Sequence, residues 1–347
     1  MNARTANVQA KSLQRRSRRL TAAGIVGGGV PLLALAMALA ASQGVMPVAP
    51  AAVWEALVHF DPEFLPHLII REVRLPRVLA GALIGAALAV AGAVMQGISR
   101  NPMADAGLLG LSAGSNFALV LGFTFAPGLS ANSLIICSFA GAAAGAVLVY
   151  AAASLRYQAS PVRLVLTGSA VSALLTALGQ GLAISLGAAR DVMFWLVGGL
   201  AGATWQQLGA IAPWLAAALL AAMLLSRSIS LLSLGEEVAQ GLGLSNRLVQ
   251  IAAVLVVVAL AGAAAALAGA VGFVGLVVPH LARFWVGEDY RRIIPASAVL
   301  GALLLVLADL GARTIKPSFE IPVGAVTALI GVPFFLYLAR RQRREAQ

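Results

Sequence analysis

Long apolar runs recur along the whole chain, and they constrain its fold more than any other feature. The runs "LAGALIGAALAVAGAV" (79–94) and "LVQIAAVLVVVALAGAAAALAGAV" (248–271) approach or exceed the roughly 20 apolar residues that cross a lipid bilayer. A backbone inside lipid must satisfy its own hydrogen bonds, so these runs predict helices. Only 11% of the residues are charged, against about a quarter in soluble domains. The sequence therefore predicts an all-α integral membrane protein.

Polar, proline and glycine breaks divide the apolar runs into about ten predicted transmembrane helices. The predicted spans are 20–42, 76–97, 108–126, 132–155, 162–186, 205–225, 247–267, 270–287, 293–312 and 321–339. With the N-terminus inside, 18 of the 24 Lys and Arg residues fall on the inner side, as the positive-inside rule requires. We therefore expect both termini in the cytoplasm. The six outer cations are Arg71, Arg74, Arg77, Arg190, Arg313 and Lys316.

One membrane domain, residues 20–340, is expected between a basic cytoplasmic tail at 1–19 and a second basic tail at 341–347. "RRSRRL" and "MALAAS" near the N-terminus imitate a secretory signal, but the apolar run between them is long, which favours a retained first span. Glycines at four-residue spacing, such as Gly81 with Gly85 and Gly141 with Gly145, predict close helix packing. "AGAV" at 91–94 and 268–271, on spans of opposite direction, is compatible with an inverted repeat.

The sequence lacks the residue patterns that ATP hydrolysis and metal binding need. Neither lysine, Lys11 or Lys316, lies in a phosphate-binding loop, so ATP hydrolysis is assigned to a partner and the chain is not expected to be an enzyme. The three histidines are scattered, which disfavours a metal site. Asp309 is the one acidic residue clearly within a span, four residues before Arg313, where a local ion pair is expected. An ion-coupled carrier or channel stays a remote alternative, and the arginines at span ends indicate topology rather than nucleic-acid binding.

The inner segment "SRSISLLSLGEEVAQGLGLSNR" (226–247) is too polar to cross the membrane. Glu236 and Glu237 follow Gly235, and carboxylates at this place favour the start of a helix. Val238, Leu242 and Leu244 would form an apolar surface that suits a groove on a soluble partner. The alternative is a helix that lies along the membrane surface.

The outer segment "REVRLPR" (71–77) places Arg74 and Arg77 just before and within the first turn of the second span. Both the topology and the helix dipole disfavour cations there, so a negative partner is expected. An acidic surface of another protein would provide it; lipid phosphates and Glu72 are the alternative. Pro76 suits a first helical turn.

The stretch "AGAVMQGISRNPMADAGLLGLSAGSN" (91–116) contains a polar break between the second and third spans. Asn101 and Pro102 interrupt the helix, and Arg100 lies at the inner face. Irregular backbone at membrane depth is tolerated where protein buries it or water lines it. The segment is therefore a candidate inner mouth of a pathway, with an ordinary cytoplasmic turn as the alternative.

These segments together resemble the FecCD-type permease subunits of ATP-binding-cassette (ABC) importers for iron chelates, haem and cobalamin. The resemblance covers about residues 70–340 and rests on five ordered motifs. They are "RLPRVLAGALIGAALAVAGAVMQG", "NPMADAGLLG", "GEEVAQGLG", "GFVGLVVPHLAR" and "EIPVGAVTALIGVPFF". Met103 and Ala106 depart from the family's usual N-P-L-A-D-P-G.

The resemblance implies a ten-helix subunit that pairs with a second copy of itself, with two ATPase subunits below and a substrate-binding protein above. It assigns Glu236, Glu237, Gly241 and Leu242 to ATPase coupling. It assigns Arg74, Arg77 and Arg313 to binding-protein docking. The pathway or its gates would include Met95, Gln96, Asn101, Pro102, Ser112, Asn116, Ser172 and Thr176.

The same resemblance implies that the chain holds no cofactor and that the partner ATPase binds ATP and Mg. It implies a place in the cytoplasmic (inner) membrane, among lipids. A ferric siderophore is the preferred cargo because "SPVRLVLTGSAVSALL" and "MFWLVGGLAGATW" resemble siderophore permeases. Haem is the second expectation and cobalamin the third.

Overall fold

The fold is known from a computed structural model, which describes residues 2–44, 46, 48–105, 107, 110–126, 128–154, 161–187, 199–315 and 321–345. Within these ranges every regular element is a helix. The outer cations Arg190 and Lys316, and the last two residues of the C-terminal tail, lie outside the described residues.

Thirteen α-helices and one π-helical segment follow one another in the described part of the chain. They are α1 (Asn2–Ser42), α2 (Pro50–Val58), α3 (Leu65–Leu68), the π segment (Ile69–Arg74), α4 (Leu75–Ser99), α5 (Leu111–Phe125), α6 (Ala131–Ser154), α7 (Pro161–Ser185), α8 (Trp205–Leu232), α9 (Glu236–Gly241), α10 (Asn246–Ala268), α11 (Val274–Val286), α12 (Tyr290–Thr314) and α13 (Val323–Glu345).

Each of the ten predicted apolar runs corresponds to one of these helices. Seven are long and apolar enough to cross a membrane: Leu20–Ser42, Leu65–Ser99, Ala131–Ala153, Leu166–Ser185, Trp205–Leu232, Asn246–Ala268 and Tyr290–Thr314. The other three, Leu111–Phe125, Val274–Val286 and Val323–Leu338, are shorter. The all-α, multi-pass architecture is thus confirmed, while the side on which each terminus lies stays a prediction.

Helix α4 begins at Leu75, next to the predicted start at residue 76, but α3 and the π segment extend it into one continuous helical span from Leu65, which was not predicted. Pro76 lies inside a continuous helix, where it has no N–H to donate and its ring crowds the preceding turn. The π segment just before it widens that turn, with the Leu75 N–H donating to the Ile70 carbonyl five residues back. Arg74 and Arg77 therefore lie within the helix, away from its N-terminal dipole.

Helix α4 runs through the core and packs against α12 and α11 at glycines. A Cβ atom on Gly85 would lie 2.2 Å from the Gly301 carbonyl oxygen, and one on Gly92 would lie 2.0 Å from that of Gly275. Only a residue without a side chain permits such an approach of two backbones. The same holds for α5 against α6, where a Cβ atom on Gly114 would lie 2.2 Å from the Gly141 carbonyl oxygen. The predicted close packing is confirmed at Gly85, Gly141 and Gly145, whereas Gly81 faces the Leu200 side chain rather than another backbone.

Helix α8 continues to Leu232, so the predicted boundary at residue 225 is also wrong. Ser226, Ile229 and Leu232 are buried at three-residue spacing, which keeps one face of the helix on the core. The segment between α8 and α10 is therefore shorter than predicted, with α9 at its centre.

Candidate translocation, coupling and docking sites

The polar break after α4 is a tight turn. Arg100 ends the helix with a left-handed φ of 52°, which only a minority of non-glycine residues adopt. The Asn101 side-chain oxygen accepts a 2.9 Å hydrogen bond from the Met103 N–H across Pro102. Such local side-chain bonds compete with helix continuation and fix turns. The sequence prediction that Asn101 and Pro102 break the helix is confirmed.

This turn contacts the predicted coupling segment. The Arg100 guanidinium lies 3.4 Å from the Glu236 carboxylate, and both side chains are exposed. Gln250 of α10 donates to the same carboxylate at 3.4 Å, and the Asn246 amide donates to the Glu236 carbonyl at 2.9 Å. The structure thus joins the two sites that the sequence placed far apart. Glu237 makes no ion pair within the described ranges.

Helix α9 has an apolar face that the rest of the chain leaves exposed. It begins at Glu236, as predicted, and ends with Gly241. Val238 is 48% exposed and Leu242 is 64% exposed. Leu244, which was expected on this face, instead packs inward against the buried cluster of Leu232, Ala239 and Val249. Leu234, in the turn just before α9, is 68% exposed as well and was not predicted.

The predicted pathway residues of the third and fifth spans lie close together. Asn116 of α5 and Thr176 of α7 line one small cavity of about 60 Å³, together with Gln180. Ser172, Thr176 and Gln180 recur every four residues, so they share one face of α7. Ser112 lies one turn before Asn116 on α5. Gln180 was missed, although its spacing from Thr176 continues the predicted pattern.

Gln96 lies at a different place from that cavity. Its side chain is buried, and its amide donates to the Gly275 carbonyl at 3.2 Å. Its oxygen accepts a 2.9 Å hydrogen bond from Arg283. Met95 is partly buried against the apolar core. The structure therefore places both residues between helices near the C-terminal end of α4, apart from the Asn116 and Thr176 side chains.

Arg74 caps the end of the first helix. Its guanidinium donates to the carbonyl oxygens of Ala41 and Ser42, each at 2.8 Å, and also to that of Met46. The last carbonyls of a helix have no partner within it and carry partial negative charge. The π segment thus brings the buried Arg74 cation to the C-terminal end of α1, where the partial negative charge of the carbonyls attracts it.

Arg77 and Arg313 share one buried carboxylate. Asp309 lies 2.9 Å from the Arg77 guanidinium and 3.1 Å from that of Arg313. Arg313 also donates to the Ala40 carbonyl at 3.1 Å. The expected Asp309–Arg313 pair is confirmed, whereas the contact with Arg77 was missed. The negative charge that the sequence analysis sought in a partner is thus supplied within the chain, and a docking role for these arginines stays a prediction.

Comparison with known proteins identifies relatives over nearly the whole chain. The FecCD transport family model matches residues 32–341. The iron(3+)-hydroxamate import system permease protein FhuB of Bacillus subtilis is 46% identical over 344 residues, 99% of this chain and 89% of FhuB. The cobalamin import system permease protein BtuC of Halobacterium salinarum is 38% identical over 317 residues, 91% of this chain and 81% of BtuC.

Solved structures share the fold. One described as an inward-facing, metal-chelate-type ABC transporter matches with a TM-score of 0.77 and 30% identity, and the match covers 91% of this chain and 99% of that one. PsaBC from Streptococcus pneumoniae, at 18% identity and a TM-score of 0.58, shows likeness of fold alone. With a family model that spans most of the sequence and relatives aligned along nearly all of it, this chain belongs to the FecCD transport family.

Proposed function

We propose that the chain is the permease subunit of an ABC importer that moves a ferric siderophore into the cytoplasm. The observation that carries this proposal is the 46% identity with the hydroxamate permease FhuB along 99% of the chain. A siderophore transport system permease of Bacillus subtilis, also 46% identical over 277 residues, supports the same cargo class. A substrate-binding protein delivers the cargo, and a separate ATPase that binds ATP and Mg supplies the energy.

The cargo passes along the polar face of α5 and α7. Thr176 and Gln180 are exposed in the single chain, and hydrocarbon is a poor solvent for hydroxyl and amide groups. A second copy of the chain covers this face and encloses a pathway. Hydroxyls and amides attract a chelate weakly, so the binding protein selects the cargo and the permease releases it.

Helix α9 couples the chain to ATP hydrolysis by the ATPase. Leu234, Val238 and Leu242 insert into a groove on the ATPase, as apolar faces of short helices do. Glu236 transmits the movement to the inner turn because it contacts Arg100. Asn101 and Pro102 in that turn then shift with α4 and open the inner mouth.

The binding protein docks at the outer ends of α1, α4 and α12, where Arg74, Arg77 and Arg313 converge. Acidic side chains of the binding protein share the N–H groups of these arginines with Asp309 and with the α1 carbonyls. Each guanidinium has five donors, so an internal partner and an external one are compatible.

The test is uptake by the complete transporter, with its ATPase and binding protein, in sealed vesicles. Ferric hydroxamate, ferric citrate, haem and cobalamin are supplied side by side, with and without ATP. We expect ATP-dependent uptake of a ferric siderophore. The relative that imports cobalamin makes cobalamin the second candidate, so preferred uptake of cobalamin or haem contradicts the cargo assignment. Uptake without ATP contradicts the importer itself.

A further inference from the structure

A cationic cavity of about 780 Å³ lies where the ends of α4, α8, α11 and α12 meet on the predicted cytoplasmic side. This volume falls in the roughly 300–1,000 Å³ range of small-ligand sites. Two carboxylates, Glu288 and Asp289, lie in its wall. Five arginines line it: Arg100, Arg227, Arg283, Arg291 and Arg292.

The positive charge of this cavity is only partly balanced. The Asp289 carboxylate already accepts hydrogen bonds from the Ser230 hydroxyl and from the backbone N–H of Arg291, each at 3.1 Å. It also lies 3.8 Å from the Arg292 guanidinium. Among the residues that the structure describes, the Arg227 and Arg291 side chains make no ion pair. The cavity therefore favours an anion.

Arg283 is held in place by neutral groups. Its guanidinium donates to the Gln96 oxygen at 2.9 Å and to the Tyr290 hydroxyl at 3.3 Å. These bonds orient the planar fork without neutralising its charge. An oriented guanidinium matches the oxygen atoms of a phosphate group in pairs.

With the predicted topology, the cavity lies near the cytoplasmic surface of the membrane. Phe284 is 81% exposed and Trp285 is 44% exposed, directly after Arg283 near the end of α11. Aromatic side chains are enriched at the boundary between lipid and water. Basic pockets between helices on the cytoplasmic side bind the headgroups of anionic lipids.

We propose that this cavity binds the phosphate headgroup of an anionic phospholipid from the inner leaflet. Arg283 contacts the phosphate, Arg227 and Arg291 supply further charge, and the acyl chains leave along the side of Phe284. A soluble phosphate ester has the same recognition chemistry and is separated from the lipid by experiment.

The test uses the purified full-length chain in a neutral detergent and counts bound molecules by native mass spectrometry. The probes are short-chain phosphatidylglycerol, phosphatidylcholine with the same acyl chains, and glycerol phosphate. We expect one phosphatidylglycerol per chain and much weaker binding of the other two. Arg227→Gln and Arg291→Gln should each weaken phosphatidylglycerol binding roughly fivefold, since each basic residue near anionic lipid contributes about that factor.

Arg247→Gln is the matched control, because Arg247 is an exposed arginine on the same side and outside the cavity lining. Its phosphatidylglycerol binding should equal that of the unchanged chain. Equal binding of phosphatidylcholine, equal binding of glycerol phosphate, or unchanged binding in both cavity variants overturns the proposal. A co-purification assay with the ATPase completes the test: cavity variants that keep the lipid but no longer retain the ATPase also overturn the proposal, since the cavity would then bind a protein.

Discussion

Arg74, Arg77 and Arg313 show how buried positive charge is balanced within the chain. Arg77 and Arg313 converge on Asp309, and Arg74 occupies the carbonyl end of α1. The spacing of Asp309 and Arg313 predicted their contact because four residues make one helical turn. Arg77 lies 232 positions from Asp309, and no local pattern encodes that contact.

Asp309→Asn tests this arrangement. The change leaves two buried guanidiniums without their carboxylate, and removal of one partner from a buried pair costs about 3 kcal/mol. We expect a lower melting temperature of the purified chain in detergent. Glu63→Gln is the control, because Glu63 is an exposed acid in the turn before α3 and takes no part in the Asp309 cluster. A melting temperature equal in both variants would show that the cluster does not stabilise the fold.

At the scale of elements, hydrophobicity located the helices of all ten predicted spans but not the short helices α2 and α3, and packing set several of the helix ends. Helix α8 extends through "SRSISLL" because the buried face of Ser226, Ile229 and Leu232 continues on the core. Four-residue spacing likewise predicted the exposed face of α9, except that Leu244 lies beyond the helix end and turns inward.

The apolar face of α9 makes a prediction about ATPase binding. Val238→Ala combined with Leu242→Ala should weaken association with the ATPase by roughly tenfold or more, as loss of interface anchors does. Gln240→Ala, on an exposed residue of the same helix, should leave association unchanged. Co-purification and ATPase stimulation measure the effect. Equal retention of the ATPase by both variants would show that the apolar face of α9 does not bind the ATPase.

At the scale of the whole molecule, the polar face of α7 predicts how two copies meet. Thr176→Cys in a Cys137→Ser background should form a cross-link between copies under mild oxidation, because this face borders the shared pathway. Cys137 is the sole natural cysteine. Leu178→Cys is the control, since Leu178 is exposed but lies about 200° around the helix from Thr176. Gel electrophoresis shows the result, and cross-linking of the Leu178 variant alone would reverse the proposed orientation.

The sequence by itself determined the membrane class, the apolar helices, the break at Asn101 and the start of α9. Each of these depends on composition or on spacing within a few residues, which one stretch of chain contains. Only the tertiary structure decided that Asp309 binds Arg77, that Arg100 contacts Glu236, and that five arginines surround one cavity. Those contacts join residues distant along the chain, and the packing of helices at Gly85 and Gly301 brings such residues together.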